Sequence, residues 1–298
     1  MSHQRRTRST IGIVLVLGSI WIVFGFIANR SEQGLSEGKD SGILYADSSK
    51  SSGTDSVPPV LSEEQPPGAT DIPRIENRAF RVGEHLVFEI VYGPIKAGTA
   101  TMSVPDTQWV RGRPCYHVVT TAESNTFFDS FFKVRDRVET FIDVEGIFPW
   151  KFEKRIREGK YREDRTVDYD QMNGRVISNN KDTLRVSPFI QGVLSSFYYV
   201  RTVPLKVGKS FDIDSYGDGK VYPIKVLVHK KDRVRVPAGT FDCIVVEPVM
   251  RVKGIFNRKG RMAIWLTDDE QKIPVLMKSK IIIGSIDARL KSFETKTD

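Results

Sequence analysis

The sequence predicts a mainly β protein in which duplicated antiparallel sheets form a barrel-like roll or two packed similar halves, with one or two short helices, after an N-terminal transmembrane helix. Three observations predict this class. Residues 11–28 are apolar and uncharged, apolar and polar residues alternate from residue 79 onward, and several motifs return after about 125 residues. Because the strands do not alternate with long helices, a parallel α/β sheet is excluded.

The N-terminus has the pattern of a membrane anchor. Residues 1–10 are short and basic, with Arg5, Arg6 and Arg8, and the 18 residues of 11–28 carry no charge. This length suffices for one helical span. Basic residues before a span place the N-terminus in the cytoplasm. We therefore expect a single-pass protein of the inner membrane, with its C-terminal domain in the periplasm.

A cleaved signal peptide is the alternative for the same segment, since it also begins with a basic region and an apolar run. Bulky Phe26 stands where cleavage would require a small residue. The apolar run is also longer than the usual signal core of roughly 7–15 residues. These features favour the anchor, and secretion to the periplasm after cleavage stays open as the second interpretation.

A linker follows the anchor and precedes the folded part. Residues 29–78 are rich in Ser, Gly, Pro and acidic residues, and they contain too few apolar side chains to offset the entropy of ordering them. A flexible chain of about 45 residues reaches on the order of 35–40 Å. The β-rich domain is then predicted to cover residues 79–298.

This domain is predicted to contain two repeat halves, at about 80–186 and 205–294. Val82-Gly83-Glu84 returns as Val207-Gly208-Lys209, each followed by alternating apolar residues. Cys115 returns in the same way as Cys243, each within a predicted strand. Matches in the same order and at nearly constant spacing predict two similar β structures.

Turn and helix signals complete the element prediction. Asn173-Gly174 between two apolar runs is a strong hairpin signal. Ser187-Pro188 is typical of a helix start, and the following apolar spacing predicts a helix near 188–200 that joins the two halves. Phenylalanines at positions i, i+1, i+4 and i+5 between 126 and 132 predict a second short helix.

Large aromatic residues in and near these helices are the candidate lining of a ligand cavity, because two curved sheets can enclose an apolar interior. Packing in the core is the ordinary alternative for each of them. The candidate lining residues are Phe127, Phe128, Phe131, Phe132, Trp150, Phe197 and Tyr198.

Six stretches together resemble a bacterial family, the domain of unknown function 3108. They are 82–86, 92–100, 131–134, 195–201, 237–243, and 264–269 with 273–275. The resemblance covers nearly all of residues 79–292. It implies an exported, envelope-located, mostly β protein. It implies neither a reaction nor functional residues, because the family has no established activity. The joint presence of Cys115 and Cys243 is not expected of every member.

Charge and cysteine content limit the partners and the compartment. Residues 79–298 carry 37 basic and 28 acidic residues, a net charge of +9 without a dense basic tract. Outside the cytoplasm, such a surface favours anionic headgroups or polymers over nucleic acid, which we exclude as a partner. Cys115 and Cys243 either form a disulfide or remain separate buried thiols.

The sequence contains no catalytic signature, and we predict no catalytic residue, no cofactor and no metal site. His85, His117 and His229 lie in separate predicted strands without a second ligand at zinc spacing. The carboxylates of Asp268-Asp269-Glu270 are adjacent in a predicted turn, which is typical of solvated side chains rather than of a glycosidase pair.

The function expected from these features is non-enzymatic. We expect the domain to bind a hydrophobic, lipid-like envelope component. The alternative from another class is a structural or adaptor protein that binds protein partners of an envelope complex. An envelope hydrolase is the weakest alternative.

Overall fold

A computed structural model describes residues 71–179, 181–250, 262–280 and 284–295 of the chain. The predicted membrane anchor and nearly all of the predicted linker lie outside these residues. Within the described ranges, no helix combines the length and the apolar character needed to cross a membrane.

The described residues form fifteen strands, two short α-helices and one turn of 3₁₀ helix (Gln171–Asn173), so the prediction of a mainly β domain is confirmed. In the first part of the chain lie β1 (His85–Tyr92), β2 (Ile95–Val110), β3 (Arg113–Ser124), helix α1 (Thr126–Asp129), β4 (Arg135–Asp143), β5 (Pro149–Glu158), β6 (Tyr161–Asp170), β7 (Arg175–Ser178) and β8 (Asp182–Arg185). Then follow β9 (Gln191–Gly192), helix α2 (Val193–Thr202), β10 (Ser210–Gly217), β11 (Lys220–Val236), β12 (Gly239–Met250), β13 (Met262–Thr267), β14 (Pro274–Lys280) and β15 (Ser285–Glu294).

All fifteen strands belong to one sheet. The chain starts in the middle of the sheet and meanders outward from β1 to the edge strand β8. It then crosses to the opposite edge, where β9 lies parallel to β10, and meanders back until β15 pairs with β1. The sheet therefore has two edges and is not closed, and the two parts of the chain share it.

The strands β1–β6 and β10–β15 correspond in order, and several lengths agree, such as 16 residues in β2 and 17 in β11. Corresponding hydrogen bonds precede the first strand of each series. Gly83 N–H donates to the Val104 carbonyl and Gly208 N–H donates to the Val228 carbonyl, both at 2.8 Å. Both glycines have a positive φ, 93° and 78°, which the absence of a Cβ makes inexpensive.

The core lies against one face of this sheet. Alternate residues of the central strands, such as Leu86, Phe88 and Ile90 of β1, are fully buried. The same cluster includes residues of β10–β15 and of α2. A second, smaller cluster forms on the other side of β3–β5 from Cys115, Phe141, Phe148 and Trp150.

The helix that joins the two series begins later than predicted. Ser187-Pro188 does not start it, because Phe189 has φ of 57° and residues Gln191–Gly192 form strand β9. A positive φ is incompatible with a continuing right-handed helix. Helix α2 runs from Val193 to Thr202. The hairpin predicted at Asn173-Gly174 is confirmed, because β6 and β7 pair across that turn.

The paired glycines lead to a prediction about stability. No atom lies within 4 Å of the site of a Cβ at Gly208, so Gly208→Ala introduces only the strain of a left-handed conformation. We expect it to lower the free energy of unfolding by about 1–2 kcal/mol, measured by urea denaturation. Gly208→Asn is the matched control and should cost less, because Asn tolerates this conformation better. Equal stability of the wild type and the Ala variant would contradict the prediction.

Candidate ligand-binding site

Helix α2 lies against the buried face of the sheet, and its first turn is fixed by a polar contact. The Ser195 hydroxyl accepts a hydrogen bond of 2.8 Å from the Gly192 N–H group. Gly192 has no side chain that could cap the helix, so Ser195 supplies the oxygen for one of the otherwise unpaired donors. The helix therefore starts at a defined position directly after β9.

The last turn of α2 is held by a buried ion pair. Arg201 donates to both carboxylate oxygens of Glu84, at 2.8 and 2.6 Å. Both side chains are at most 1% exposed to solvent. Arg201 also donates to the carbonyl groups of Ala79 at 2.9 Å and Gln271 at 3.2 Å. One guanidinium thus joins α2 to the segment before β1 and to the connection between β13 and β14.

The surroundings of Arg201 keep it charged. Burial alone would lower the pKa of its guanidinium, but the charge of Glu84 and the hydrogen bonds to it raise that pKa above the ordinary value. The rings of Phe80 and Tyr198 lie 5.5 and 5.3 Å from the guanidinium carbon. Stacking on aromatic rings suits the planar, weakly hydrated guanidinium group better than an ammonium group.

Beside this anchored end, α2 covers an apolar cleft. The helix contributes Ser196, Phe197 and Val200 to its wall, and the inner face of β10–β13 contributes the rest. The remaining lining residues are Ile213, Ile224, Val226, Val246, Pro248, Ile264 and Leu266. The hydroxyl of Ser196 donates to the Val193 carbonyl, so it does not demand a polar ligand.

The enclosed part of the cleft is small. Including the part open to solvent, its volume is about 370 Å³. The enclosed part has room for only about one water molecule. Ligand pockets usually measure roughly 300–1,000 Å³, far more than this enclosed part. A chain-like ligand would therefore fit only if the half-buried Phe197 ring moved outward.

The structure brings only Phe197 of the predicted lining residues into this cleft. Tyr198 is fully buried and packs edge-on against Phe80 at 4.7 Å, next to Arg201. Phe127 and Phe131 are 61% and 64% exposed, so they line no interior. Phe127 belongs to α1 and Phe131 lies in the turn that follows it, whereas Phe128 supplies the buried side of the helix.

The other predicted lining residues are packed elsewhere. Phe128 is buried in the main core, and Phe132 packs partly against it. Trp150 belongs to the smaller cluster on the other face, and its indole N–H donates to Asp143 at 2.9 Å. The aliphatic residues that do line the cleft were missed, because alternating Val, Ile and Leu are equally typical of any buried strand face.

The two cysteines are separate free thiols, so the disulfide alternative is not what the structure contains. Cys115 packs in the smaller cluster, whereas Cys243 belongs to the main core. In the strand order, five strands separate β3 from β12. Burial raises the pKa of both thiols to about 12.

Two of the described histidines, His117 and His229, contact carboxylates. His117 lies between Asp106 at 3.0 Å and Glu139 at 2.7 Å and stacks on Phe141. His229 contacts Glu247 at 2.7 Å. Among the described residues, no group of three or more His, Cys, Asp or Glu side chains is arranged to hold a metal ion.

The described residues form a mainly β domain, and its candidate site is an apolar cleft. Comparison with known proteins shows the family of this domain. Residues 87–291 match the family described as "Protein of unknown function (DUF3108)", and the chain belongs to that family. The sequence resemblance is thereby confirmed.

A solved structure of another protein shows the same fold. The β-barrel-like protein of domain of unknown function DUF1849 from Brucella abortus superposes with a TM-score of 0.52 at 12% identity, over 74% of this chain and 100% of that one. The hypothetical protein CT021 from Chlamydia trachomatis gives a TM-score of 0.34 at 7% identity, over 73% of this chain and 89% of that one. Curated proteins give no significant match.

The buried ion pair leads to a mutational prediction. Arg201→Met leaves the Glu84 carboxylate buried without its partner, and we expect the free energy of unfolding to fall by about 3–5 kcal/mol in urea denaturation. The double variant Glu84→Leu with Arg201→Met should recover most of this loss, because no buried charge is left. Arg78→Met is the control, since Arg78 and its partner Glu270 are both exposed. An effect of Arg201→Met as small as that control would contradict the assignment.

The buried thiols lead to a chemical prediction. We expect neither cysteine to react with a thiol reagent at pH 8 until the protein unfolds, because the pKa of each folded thiol is about 12.

The unfolded thiols lose their protons near pH 9, so the free energy of unfolding should fall as the pH rises above that value. Mass spectrometry checks the redox state. A mass gain of one hydrogen atom per cysteine on reduction would show a disulfide and contradict the assignment.

Proposed function

We propose that the domain binds a hydrophobic, lipid-like envelope component in the cleft beneath α2. The observation that supports this proposal is the composition of the cleft wall, in which nine of the ten residues are apolar and the single hydroxyl is already paired. An acyl chain would replace the contacts that Phe197 makes with the inner face of β10–β13. The favourable term is burial of apolar surface, about 25 cal/mol per Å².

The anchoring of α2 supports an opening at one side of the helix only. Arg201 holds the last turn to two other segments, whereas Phe197 lies one turn earlier and remains half-buried. Outward movement of one ring leaves the ion pair and the helix intact. The proposed binding mode therefore needs a side-chain rotation and not unfolding of α2.

The proposed role is non-enzymatic and belongs to the cell envelope. Its support is the sequence of residues 11–28, which has the pattern of an inner-membrane anchor with the domain in the periplasm, or of a signal peptide cleaved on export. In that compartment, the partners we propose are a lipid-like ligand and the inner membrane. No nucleic acid is required by the role.

A second candidate function is an adaptor that pairs with another protein. One observation favours it: the edge strand β8 (Asp182–Arg185) is exposed along its whole length. Backbone groups of an edge strand can accept a further strand from a partner. Its short length of four residues limits the number of such hydrogen bonds. We therefore rank this function below ligand binding in the cleft.

Two substitutions at the cleft are expected to change ligand affinity in opposite directions. Phe197→Ala removes the ring that a ligand must displace, and we expect tighter binding of a dansyl-labelled fatty acid, followed by its fluorescence. Val200→Trp fills the cleft, and we expect at least about tenfold weaker binding, because overpacking costs roughly 1–3 kcal/mol.

The matched control for the second variant is Val234→Trp, since Val234 is a half-buried residue of β11 outside the cleft. It should leave binding of the dansyl probe unchanged. Probe binding that is equal in all three variants and in the wild type would contradict the proposed function.

A further inference from the structure

One end of the sheet carries a surface that the cleft does not use. The turn between β1 and β2, the segment between β3 and β4, and the turn between β5 and β6 all lie at this end, because neighbouring strands are antiparallel. We call residues 93–96, 125–135 and 158–162 the tip surface. Helix α1 is part of its middle segment.

Hydrogen bonds to backbone carbonyl groups join the three segments into one surface. The Asn125 side chain donates to the Lys96 carbonyl at 2.7 Å, which links the middle segment to the β1–β2 turn. Gly159 N–H donates to the Lys133 carbonyl at 2.8 Å, which links it to the β5–β6 turn. The ring of Phe132 lies where a Cβ of residue 159 would stand, so the contact is close.

Large apolar side chains stand out from the tip surface into solvent. Phe127 and Phe131 are both mostly exposed and pack edge-on against each other, with 5.4 Å between ring centroids. Ile95 in the neighbouring turn is also exposed. Exposed apolar residues that cluster at loop tips, rather than scatter singly, mark an interaction site.

The charges around these side chains are mainly basic. The tip surface contains five basic residues and two acidic residues, Asp129 and Glu158. Asp129 is neutralised by Arg135, with an ion-pair distance of 2.6 Å, and Glu158 is buried. Lys133 and Lys160 are exposed, and so is Lys96, which is ion-paired with Glu89 of β1.

We infer that the tip surface docks onto an anionic phospholipid bilayer, with Phe127 and Phe131 inserted into the interface and the lysines against the headgroups. Phe, like Trp and Leu, is typical of the apolar face of segments that lie at the boundary between headgroups and acyl chains. Basic residues near an anionic leaflet strengthen binding, and salt weakens it. This inference rests on the exposed rings and the charge, and it does not depend on the cleft.

The test uses the full chain with a fluorophore at each end of the sheet. Ser130→Cys carries an NBD label on the tip surface, and Thr107→Cys carries the same label near the opposite end of β2. The native cysteines are buried and do not compete for the reagent. Each labelled protein is mixed with vesicles of phosphatidylcholine alone or with added phosphatidylglycerol.

We expect the label at position 130 to become brighter and shift to shorter wavelength only with the anionic vesicles, while the label at position 107 stays in water. This difference is independent of any binding by residues 11–28, because both proteins contain that segment. Phe127→Ser with Phe131→Ser should weaken the response at least about tenfold, since two exposed rings no longer insert.

Charge reversal supplies the matched pair of variants. Lys133→Glu with Lys160→Glu should also weaken the response about tenfold or more. Lys206→Glu with Lys209→Glu makes the same change in net charge at the opposite end of the sheet and should leave the response intact.

Three results would overturn the inference. Equal responses of the labels at positions 130 and 107 would show that the tip surface does not insert. Equal responses in neutral and anionic vesicles would exclude recognition of anionic lipid. A response that rises with protein concentration in the absence of vesicles would assign the tip surface to contact with a second copy of the chain.

Discussion

The contact between Arg201 and Glu84 ties the helix that joins the two series of strands to the segment before β1. Glu84 stands directly before β1, Arg201 ends the helix that joins the two series, and the Gln271 carbonyl belongs to the connection between β13 and β14. Such a pair is weak evidence of stability by itself, because two charges must be removed from water. Its role is to position α2, because the Glu84 carboxylate and the Ala79 and Gln271 carbonyl groups all accept hydrogen bonds from one guanidinium.

The fixed position of α2 determines where the buried face of the sheet forms a cleft. Because the last turn of α2 is fixed, the helix lies over β10–β13 and its apolar residues form one wall of the cleft. On the first series of strands, Phe128 of the short helix α1 packs into the same core. The two series thus share a strand order but are covered differently, and the cleft lies under the cover of the second.

Much of the fold could be predicted from the sequence, because strand alternation and turn chemistry are local. Asn173-Gly174 indicated a hairpin that the structure contains, and the repeated Val-Gly motifs correspond to the glycines before β1 and β10. The single open sheet could not be predicted, since the pairing of β1 with β15 joins residues about 200 positions apart. The late start of α2 also escaped prediction, because the positive φ of Phe189 depends on tertiary contacts.

The candidate site was harder to predict than the fold, because its residues come from distant parts of the sequence. Aromatic residues were a natural choice for a cavity, yet Phe127 and Phe131 point to solvent and Trp150 packs on the other face. Glu84 and Arg201 are isolated charges 117 residues apart, so no local pattern joins them.

The measurement that tests the central claim most directly is native mass spectrometry of the full chain purified from the cells that make it. The account predicts an additional mass that organic extraction removes and that is identified as an apolar, chain-bearing molecule. A ligand-free protein that instead retains a stoichiometric protein subunit would contradict it and assign the domain to the adaptor class.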